Sequence, residues 1–597
     1  MSGISDFLPT DQLRDGRYSL KSTGNQDTDA TLIGSKWVSS DLTYSFPTTA
    51  TPYLQNGPYQ GSDGNEPNGL LAFNAQQQQM VKYALSLIQG YTNLKFTEVP
   101  EVQAAGATFR FGNTNDSSVQ SAYANFPSNK NSAGDVWFGT TGQPFYLTPD
   151  VGDWGGATIM HEIGHAVGLK HGHQNYQNET SSNLVPESLA WYLNFNGILN
   201  GMPNMTAEHD GQAWSLMTYS ATPTETGSFY GEGFNQPQSY MQVDIAALQY
   251  LYGANFSYNS GDTVYKWTPD NGTMYVNGEA SKSPTSNIIF MTIWDGGGND
   301  TYDLSAYKND LSIDLRPGQF STFSEAQLAN PTELISQLDL APGNIANAML
   351  YNNDLRSLIE NAIGGSGNDR FIGNIANNNF KGNGGNDYMD GGAGVNTSAY
   401  NGSIKDYSIN RIAGTVTDNV AGRDGADTIA NIEKLVFTDF VDLLSPTSNA
   451  DKVIYGLYQT AFGRVADESG FTVWTNYVDN SGMSLSQVAN SFVASTEFAN
   501  KFGNYVSNVD FVSDVYQAAF GRSADVAGRS FWVQQLDRGL SKADLILAFA
   551  SSSEEASLNS SHTDNGYWVL PDGLSSVTVV GSNGSAGPGS APLGQNL

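Results

Sequence analysis

Hydrophobic residues recur at helical spacing in the first hundred residues of the chain. After Asn74, a residue type that caps helix N-termini, apolar side chains fall every three or four positions, and this pattern predicts a helix that runs through Gln89. The apolar positions of the predicted helix are Met80, Val81, Ala84, Leu85, Leu87 and Ile88. One face of this helix should therefore pack in a core.

A nine-residue period replaces the helical one in the middle of the chain. Its units span residues 364–372, 373–381, 382–390 and 391–399, with an isolated copy at 295–303. The apolar position holds Phe371, Phe380 and Met389, and becomes Ser398 in the last unit. Six residues make a turn and three make a strand, so two units complete one coil and equivalent turns stack 18 residues apart. Between stacked turns we expect Ca²⁺, held by Gly365, Gly367, Asp369, Gly382, Gly384 and Asp387.

The region after about residue 446 contains an internal duplication. Residues 458–467 recur as residues 516–525, an offset of 58 positions. The same offset relates Gly470 to Gly528 and Trp474 to Trp532. Periodic apolar residues predict two or three short helices in each copy. Each copy should also contain one local ion pair, Arg464 with Asp467 and Arg522 with Asp525.

Composition and charge limit the kinds of molecule and ion that this chain is expected to bind. The chain has 597 residues, no cysteine, and 59 acidic against 27 basic side chains, for a formal charge of −32. This charge argues against nucleic acid and anionic membranes as partners and favours calcium. No disulfide can hold the chain together, and at this length about three to four folding units are expected.

The N-terminal segment does not resemble a conventional secretory signal, and the C-terminal segment is predicted to be disordered. Residues 1–8 have no basic region and no apolar core, so they do not form an ordinary secretory signal. No stretch of about 18 or more apolar residues occurs, so we expect no membrane span. The chain is then either cytoplasmic or exported by a route encoded elsewhere in it. The tail from Gly581 onward is rich in Gly, Ser and Pro and is predicted to be disordered.

The residues from His161 to His171 carry the chemistry of the chain. They read H-E-x-x-H-x-x-G-x-x-H. On a helix, which we expect from about Ala157 to Val167, His161 and His165 lie on one face and can reach one metal ion. The chain turns at Gly168, since glycine tolerates positive φ, and returns with His171 as the third ligand. Three protein ligands leave a position for water, the arrangement of a catalytic zinc.

Glu162 stands beside the first zinc ligand and is the predicted general base. It can take a proton from zinc-bound water and later pass it to the leaving amine. Three of the six histidines fall in this motif. The other three histidines have no motif around them that predicts a role. His173 is expected at the rim, and His209 and His562 are expected to be solvated.

Several stretches outside the zinc motif resemble the serralysins, secreted bacterial zinc metalloproteases of the metzincin clan. The resemblance covers residues of about 30 to 440 and rests on 42–47, 110–113, 133–138, 215–219, 244–249, 252–255, 261–265 and 359–364, besides the zinc motif and the repeats. It implies that Met217 forms the Met-turn under the zinc. It also implies that Tyr219 is a movable fifth zinc ligand that stabilises the oxyanion.

The same resemblance implies a fold class and a domain order. The expected fold is an α+β metzincin zinc-protease domain, an all-β parallel β-roll (RTX) domain and a C-terminal, mostly helical tandem-repeat domain. The expected bounds are a propeptide at 1–22, the protease domain at 23–255, the β-roll at 256–445, the tandem repeat at 446–560 and a tail at 561–597. Residues near 122–127 and 133–138 resemble the edge strand and rim that hold an extended substrate.

The resemblance further implies calcium ligands ahead of the contiguous repeats. One site would use carbonyls of Asn259, Gly261 and Gly297 together with Thr263, Asp295 and Asp300. A neighbouring site would use Gly298, Asp300 and Glu360. The family often has threonine two residues before that glutamate, and this chain has Leu358 there.

These observations predict a secreted, calcium-stabilised zinc endopeptidase made as a zymogen. The RTX class is typically exported by a type I secretion apparatus and folds outside the bacterial cell, which would explain the missing signal peptide and the missing cysteines. Protein substrates are the expected partners. Residues 446–560 are either a stabilising or spacing module or a module that docks a cell-surface component or a substrate. The alternative is a calcium-dependent surface or adhesion protein that keeps a protease-like fold. Glu162 discriminates between them, because a binding protein has no need of it.

Overall fold

The structure, a computed structural model, describes most of the chain between residues 23 and 572. The described residues are 23–172, 204–223, 233, 235–331, 340–444, 448–503, 507–564 and 566–572, without 56, 63, 129 and 141–143. The chain divides into two units, Met1–Gly394 and Val395–Leu597. Among the described residues no helix is both long enough and apolar enough to cross a bilayer.

The first unit contains five helices and eighteen strands within its described residues. The helices are α1 (Gln26–Ala30), α2 (Thr51–Leu54), α3 (Ala75–Tyr91), α4 (Trp154–Ala166) and α5 (Gln242–Tyr252). The strands up to residue 139 are β1 (Asp41–Ser45), β2 (Leu70–Leu71), β3 (Lys95–Glu98), β4 (Phe109–Thr114), β5 (Ala122–Ala124) and β6 (Val136–Gly139). The later strands are β7 (Val264–Thr268), β8 (Asn271–Val276), β9 (Glu279–Ala280), β10 (Met291–Ile293), β11 (Thr301–Asp303), β12 (Ser312–Asp314), β13 (Phe320–Ser321), β14 (Ile345–Asn347), β15 (Asn361–Ile363), β16 (Arg370–Ile372), β17 (Asn379–Lys381) and β18 (Tyr388–Asp390).

The second unit combines seven strands with nine helices within its described residues. Its strands are β19 (Thr397–Ala399), β20 (Tyr407–Asn410), β21 (Thr415–Asp418), β22 (Ala426–Ala430), β23 (Lys434–Val436), β24 (Val441–Leu443) and β25 (Tyr567–Val569). Its helices are α6 (Asn449–Phe462), α7 (Glu468–Ser481), α8 (Leu485–Val493), α9 (Thr496–Phe502), α10 (Asn508–Phe520), α11 (Val526–Asp537), α12 (Lys542–Ala550), α13 (Ser553–Leu558) and α14 (Ser560–Thr563). The mixed helix-and-strand composition that the sequence predicts is confirmed.

Helix α3 begins where the sequence predicts and supports the first sheet. The Asn74 side chain accepts from Gln77 N, and the Gln77 side chain accepts in return from Asn74 N, which completes a capping box. Its predicted apolar face is buried except Leu87, which is partly buried against the same core. That face packs with α4 over a sheet of strand order β3-β1-β4-β6-β5, parallel except for the edge strand β5.

The nine-residue repeats form short parallel strands in two stacks. Asn361 pairs with Asn379 and Arg370 with Tyr388, an offset of 18 residues in both stacks. Phe371, Phe380 and Met389 are fully buried between them. The isolated copy at 295–303 joins the same stack, because β11 pairs in parallel with β15. The predicted two-unit coil therefore has the expected register.

The duplicated region folds as four helices in each copy, α6–α9 and α10–α13, where the sequence predicted two or three. Phe462 stacks on Phe492 with ring centroids 4.9 Å apart, and Phe520 stacks on Phe549 at 5.2 Å. Phe492 and Phe549 are related by 57 residues and not 58, because α11 is two residues shorter than α7 while the turn that follows it is one residue longer. Arg464 pairs with Asp467 at 2.9 Å as predicted, and also with Glu497, whereas Arg522 pairs with Glu554.

Candidate metal centre and its surroundings

Helix α4 carries the first two histidines of the motif. It begins at Trp154, three residues before the predicted start, because the Asp153 side chain caps it by accepting from Gly156 N at 2.7 Å. His161 and His165 lie one turn apart on this helix, and both are buried. The helix is buried throughout its length, so its ligand side chains are fixed by packing.

Gly168 turns the chain back toward the helix, as predicted. Its φ is +112°, and a Cβ atom there would lie 2.6 Å from the carbonyl oxygen of Ser35. Both features exclude a larger residue at this position. Three residues later the returning chain places His171 beside the two helical histidines.

The three imidazoles converge on one point. His171 Nε2 lies 3.0 Å from His161 Nε2 and 3.0 Å from His165 Nε2. Among the described residues this is the one group of three or more His, Asp or Glu side chains whose ligand atoms all lie within 4.8 Å of one another.

The hydrogen bonds of the Nδ1 atoms of His161 and His165 determine whether their Nε2 atoms are protonated. His161 Nδ1 donates to the carbonyl of Leu216 at 2.9 Å, and His165 Nδ1 donates to that of Leu169 at 2.8 Å. A carbonyl can only accept, so these neutral rings present lone pairs at Nε2. His171 Nε2 can donate to at most one of these two lone pairs, so at least two lone pairs at the centre repel each other. A cation bound between them would remove this repulsion. The site therefore fits Zn²⁺, whose histidine ligands usually donate their other nitrogen in this way.

Electrostatics also favours neutral rings at this centre. Burial, together with the nearby His161, lowers the pKa of His165 well below its ordinary value. An unprotonated imidazole is the form that binds a metal ion.

Glu162 is the acidic side chain of the motif, and it is buried beside the centre. Its Oε2 atom has no hydrogen-bond partner among the described residues, and burial raises the pKa of the carboxyl to about 8. The backbone of Ala124, in the edge strand β5, opposes this shift by hydrogen bonding. The carboxyl group is thus held between the centre and the edge of the sheet.

Met217 lies against helix α4, and Tyr219 lies beside the imidazoles of His161 and His171. Met217 is fully buried, and its sulfur would lie 2.6 Å from a Cβ atom on Gly164, so the helix glycine lets the turn approach α4 closely. The Tyr219 ring centroid is 4.2 Å from that of His171. Tyr219 is 38% exposed, which leaves its ring room to move.

Asp244 holds this methionine turn, a role the sequence alone did not reveal. Its carboxylate accepts from the Ser215 hydroxyl at 2.6 Å and from Leu216 N at 2.7 Å, and burial raises its pKa to about 6. It also accepts from Met241 N, the position before α5. The signal in the sequence was that Asp244 begins one of the stretches, 244–249, that carry the resemblance.

The edge strand β5 lies along the same side of the molecule as Glu162. Ala122–Ala124 is half-buried and pairs antiparallel with β6, which leaves its other edge without a strand among the described residues. The Phe126 ring meets His165 edge-on with centroids 5.2 Å apart. The predicted substrate strand therefore runs next to the imidazole centre.

The two neighbouring calcium sets predicted ahead of the contiguous repeats both include Asp300, and their members lie close together. Thr263 N donates to Asp300 Oδ1 at 2.8 Å, and Thr263 Oγ1 donates to the carbonyls of Asn259 and Gly261. The remaining members also lie here: Asp295 accepts from Gly297 N, Gly298 approaches Asp300, and Glu360 accepts from Asp300 N. Burial and the neighbouring carboxylates raise the pKa of Asp300 to about 8, which a divalent cation would reverse.

The calcium set predicted within the contiguous repeats lies between stacked turns of the coil. Asp369 accepts from Gly365 N at 2.8 Å, and its own N–H donates to Asp387 at 2.8 Å. Gly384 N donates to the carbonyl of Gly365, and the backbone of Gly385 approaches Gly367 closely. The last member, Gly382, is adjacent to the Asp387 carboxylate.

The remaining histidines differ from expectation. His209 was expected to be solvated, but it is half-buried, and its Nδ1 contacts Asp27 at 2.6 Å. His562 was expected to be solvated as well, but it stacks on Trp568 with centroids 5.0 Å apart. Asp27, which is distant in sequence, causes the first difference, and Trp568, six residues after His562, causes the second. His173, the propeptide at 1–22 and the tail from 581 lie outside the described residues.

The chain is similar to known serralysins. It is 33% identical to Serralysin G of Dickeya chrysanthemi over 344 residues, which cover 56% of this chain and 59% of that protein. It is 30% identical to a serralysin of Proteus mirabilis over 347 residues, 55% of this chain and 58% of that protein. It is also 30% identical to Metallopeptidase AprA of Pseudomonas marginalis over 345 residues, 56% and 60%. The matches thus span about three fifths of the relatives' length.

Two family profiles match the later part of the chain. The family described as Peptidase M10 serralysin C terminal matches residues 254–328 and 352–462. A domain of unknown function, DUF4214, matches residues 438–502 and 489–559, which contain the duplicated helices. The resemblance to serralysin-type metalloproteases that the sequence predicted is confirmed.

Proposed function

We propose that this chain, as a relative of the serralysins, is a secreted zinc-dependent endopeptidase. The observation that carries the proposal is the convergence of three buried imidazole Nε2 atoms beside the buried carboxyl of Glu162. Zinc would be held by His161, His165 and His171, with Tyr219 as a movable further ligand. Fixed tautomers and an adjacent base are the requirements of such a site.

The proposed chemistry assigns one task to each side chain. Zinc, when bound, supplies Lewis acidity that polarises the peptide carbonyl and makes water acidic at neutral pH. Glu162 takes the proton of the attacking water and delivers it to the leaving amine. The Tyr219 hydroxyl donates to the oxyanion of the tetrahedral intermediate. Met217 forms the apolar floor, and Asp244 fixes the turn that carries it.

The proposed substrate is an extended polypeptide. The outer edge of β5 offers backbone groups beside Glu162, so a substrate strand can add to the sheet through main-chain hydrogen bonds. Main-chain recognition reads little of the side chains, and we therefore expect broad rather than narrow sequence preference.

Calcium is proposed to be structural. The predicted ligand sets lie where strands of the coil stack. Burial, with a smaller contribution from neighbouring carboxylates, raises the pKa of Asp369 to about 6 and that of Glu360 to about 7. Cations between the turns would remove the repulsion between these carboxylates. Because calcium is abundant outside cells, the proposal agrees with type I export followed by folding outside. The helical repeats at 446–560 are proposed to stabilise the chain or to dock it at the cell surface.

Casein hydrolysis tests this function. Protein refolded with calcium and zinc should degrade casein, lose activity when zinc is chelated and regain it when zinc is restored. His171→Ala should remain inactive after zinc is restored, because its third ligand is missing. A folded, zinc-loaded wild type that cleaves neither casein nor unfolded peptides would favour the adhesion-protein alternative.

A further inference from the structure

The third zinc ligand is carried by a loop that packs against the N-terminal part of the described chain. We call residues 25–33 the strap and residues 168–172 the ligand loop. Ile33 N donates to the carbonyl of Gly168 at 3.1 Å, and Lys170 N donates to that of Thr31 at 2.7 Å. Leu32 and Leu169 form an antiparallel bridge between these two bonds. The strap thus pairs with the ligand loop as a short strand would.

Lys170 ties the strap to the backbone of His171. Its side chain is fully buried, and its ammonium donates to the carbonyl of Ala30 and, at 3.2 Å, to that of His171. Ala30 is the last residue of α1, so the cation lies at the negative end of the helix. The two carbonyls accept hydrogen bonds from one buried side-chain nitrogen, so Lys170 ties the end of α1 to the backbone of His171.

A third segment closes the arrangement from the other side. Met205 N donates to the carbonyl of Gly172 at 3.0 Å, so residues 204–209 contact the end of the ligand loop. Asp27 of the strap accepts from Thr206 N at 2.6 Å and contacts His209 Nδ1 at 2.6 Å. Strap, ligand loop and residues 204–209 therefore form one hydrogen-bonded group, in which Asp27 is buried.

We propose that the strap sets the position of the third zinc ligand and that Lys170 is the positioning residue. The inference rests on the proposed function in that His171 is a zinc ligand. His161 and His165 are fixed by helix α4, whereas His171 has no helix or long strand to hold it. The N–H groups of Gly168 and Leu169 donate to α4, but the bonds nearest His171, those of Lys170 N and the Gly172 carbonyl, lead to the strap and to residues 204–209. Maturation must then spare residues 25–33, since cleavage within them would release the ligand loop.

Zinc affinity measured by competition with a chromophoric chelator tests the inference without relying on activity. Lys170→Met keeps the apolar stem and removes the ammonium, so the full chain should bind zinc roughly 10- to 100-fold more weakly, the range found when groups that orient metal ligands are lost. Lys170→Arg keeps a cationic donor and should recover most of the affinity. Wild-type zinc affinity in folded Lys170→Met would overturn the inference.

Asp27→Asn guards against the case in which Lys170→Met fails to fold. Asp27→Asn should weaken zinc binding. The control is Asp451→Asn, the same change at an aspartate of the second unit, and it should leave zinc binding unchanged. The two side chains are equally buried, since Asp27 is 7% and Asp451 6% exposed. Equal zinc affinity in the two folded variants would overturn the inference while leaving the proposed function intact. A wild type that binds zinc but hydrolyses no peptide would overturn the proposed function alone.

Discussion

At the scale of single residues, the zinc motif allowed its own side chains to be placed but not the groups that surround them. His161, His165 and Glu162 could be placed because a helix of known pitch carries them, and His171 because Gly168 permits the turn. The groups around them could not be placed. The carbonyls of Leu216 and Leu169, the carboxylate of Asp244 and the ammonium of Lys170 reach the centre only through tertiary packing, which no local pattern encodes.

Tyr219→Phe tests the role proposed for the mobile tyrosine. The variant keeps the ring that packs beside His171 and loses only the hydroxyl. If that hydroxyl stabilises the oxyanion, kcat should fall by about 10²-fold while KM changes little, because the interaction forms only in the transition state. Steady-state hydrolysis of a peptide substrate measures both parameters. A change confined to KM would assign Tyr219 to substrate binding instead.

At the scale of elements, local sequence signals succeeded where a cap or a repeat was present. Asn74 and Gln77 marked the start of α3, and the nine-residue period gave the register of β15 to β18. Sequence patterns failed where long-range contacts define the element. The antiparallel strands β20, β21 and β22 interrupt the expected coil-like pattern, and β25 pairs with β24 across more than a hundred residues.

Glu555 of α13 predicts a pH-dependent stability of the helical repeats. The side chain is 1% exposed, its Oε2 has no hydrogen-bond partner among the described residues, and burial raises its pKa from 4.5 to about 8. An acid whose pKa is raised by folding stabilises the folded state fully below its unfolded pKa. That contribution declines above pH 4.5 and is lost as the pH passes about 8.

Glu555→Gln should therefore stabilise the chain at pH 8.5 and have little effect near pH 4.5. The amide keeps the bond from Asn559 and cannot ionise, so we expect a gain on the order of 2–4 kcal/mol at the higher pH. Thermal unfolding of the full chain at both pH values measures it. Glu554→Gln, on the same helix but paired with Arg522, is the control and should give no such gain. Equal effects of Glu555→Gln at both pH values would contradict the prediction.

At the scale of the whole molecule, composition bears on what can stabilise the chain. The absence of cysteine excludes disulfides, and a formal charge of −32 favours bound cations. Burial, followed by neighbouring carboxylates, raises the pKa values of Asp300 and Glu360. What composition could not indicate is the internal order of the second unit, where strands and duplicated helices share one part of the chain.

Calcium should stabilise the full chain against thermal unfolding. At a free concentration of a hundred times Kd, one site adds about 2.7 kcal/mol to the free energy of unfolding. Asp369→Asn should reduce this gain, because it weakens a predicted ligand. Asp354→Asn, at an exposed aspartate that pairs with Arg356 in the same unit, is the matched control. Scanning calorimetry with calcium and with a calcium chelator gives the comparison, and an identical calcium effect in both variants would remove Asp369 from the ligand set.

The central claim is that Glu162 acts as general base beside a zinc ion held by three histidines. The most direct measurement is the kcat/KM of Glu162→Gln for a peptide substrate, with zinc content determined on the same sample. Glutamine preserves the shape of the side chain and removes its basicity. If Glu162 is the base, the variant should bind one zinc per chain and its rate should be lowered by roughly 10²–10⁴-fold. A folded, zinc-loaded Glu162→Gln with the wild-type rate would contradict this role.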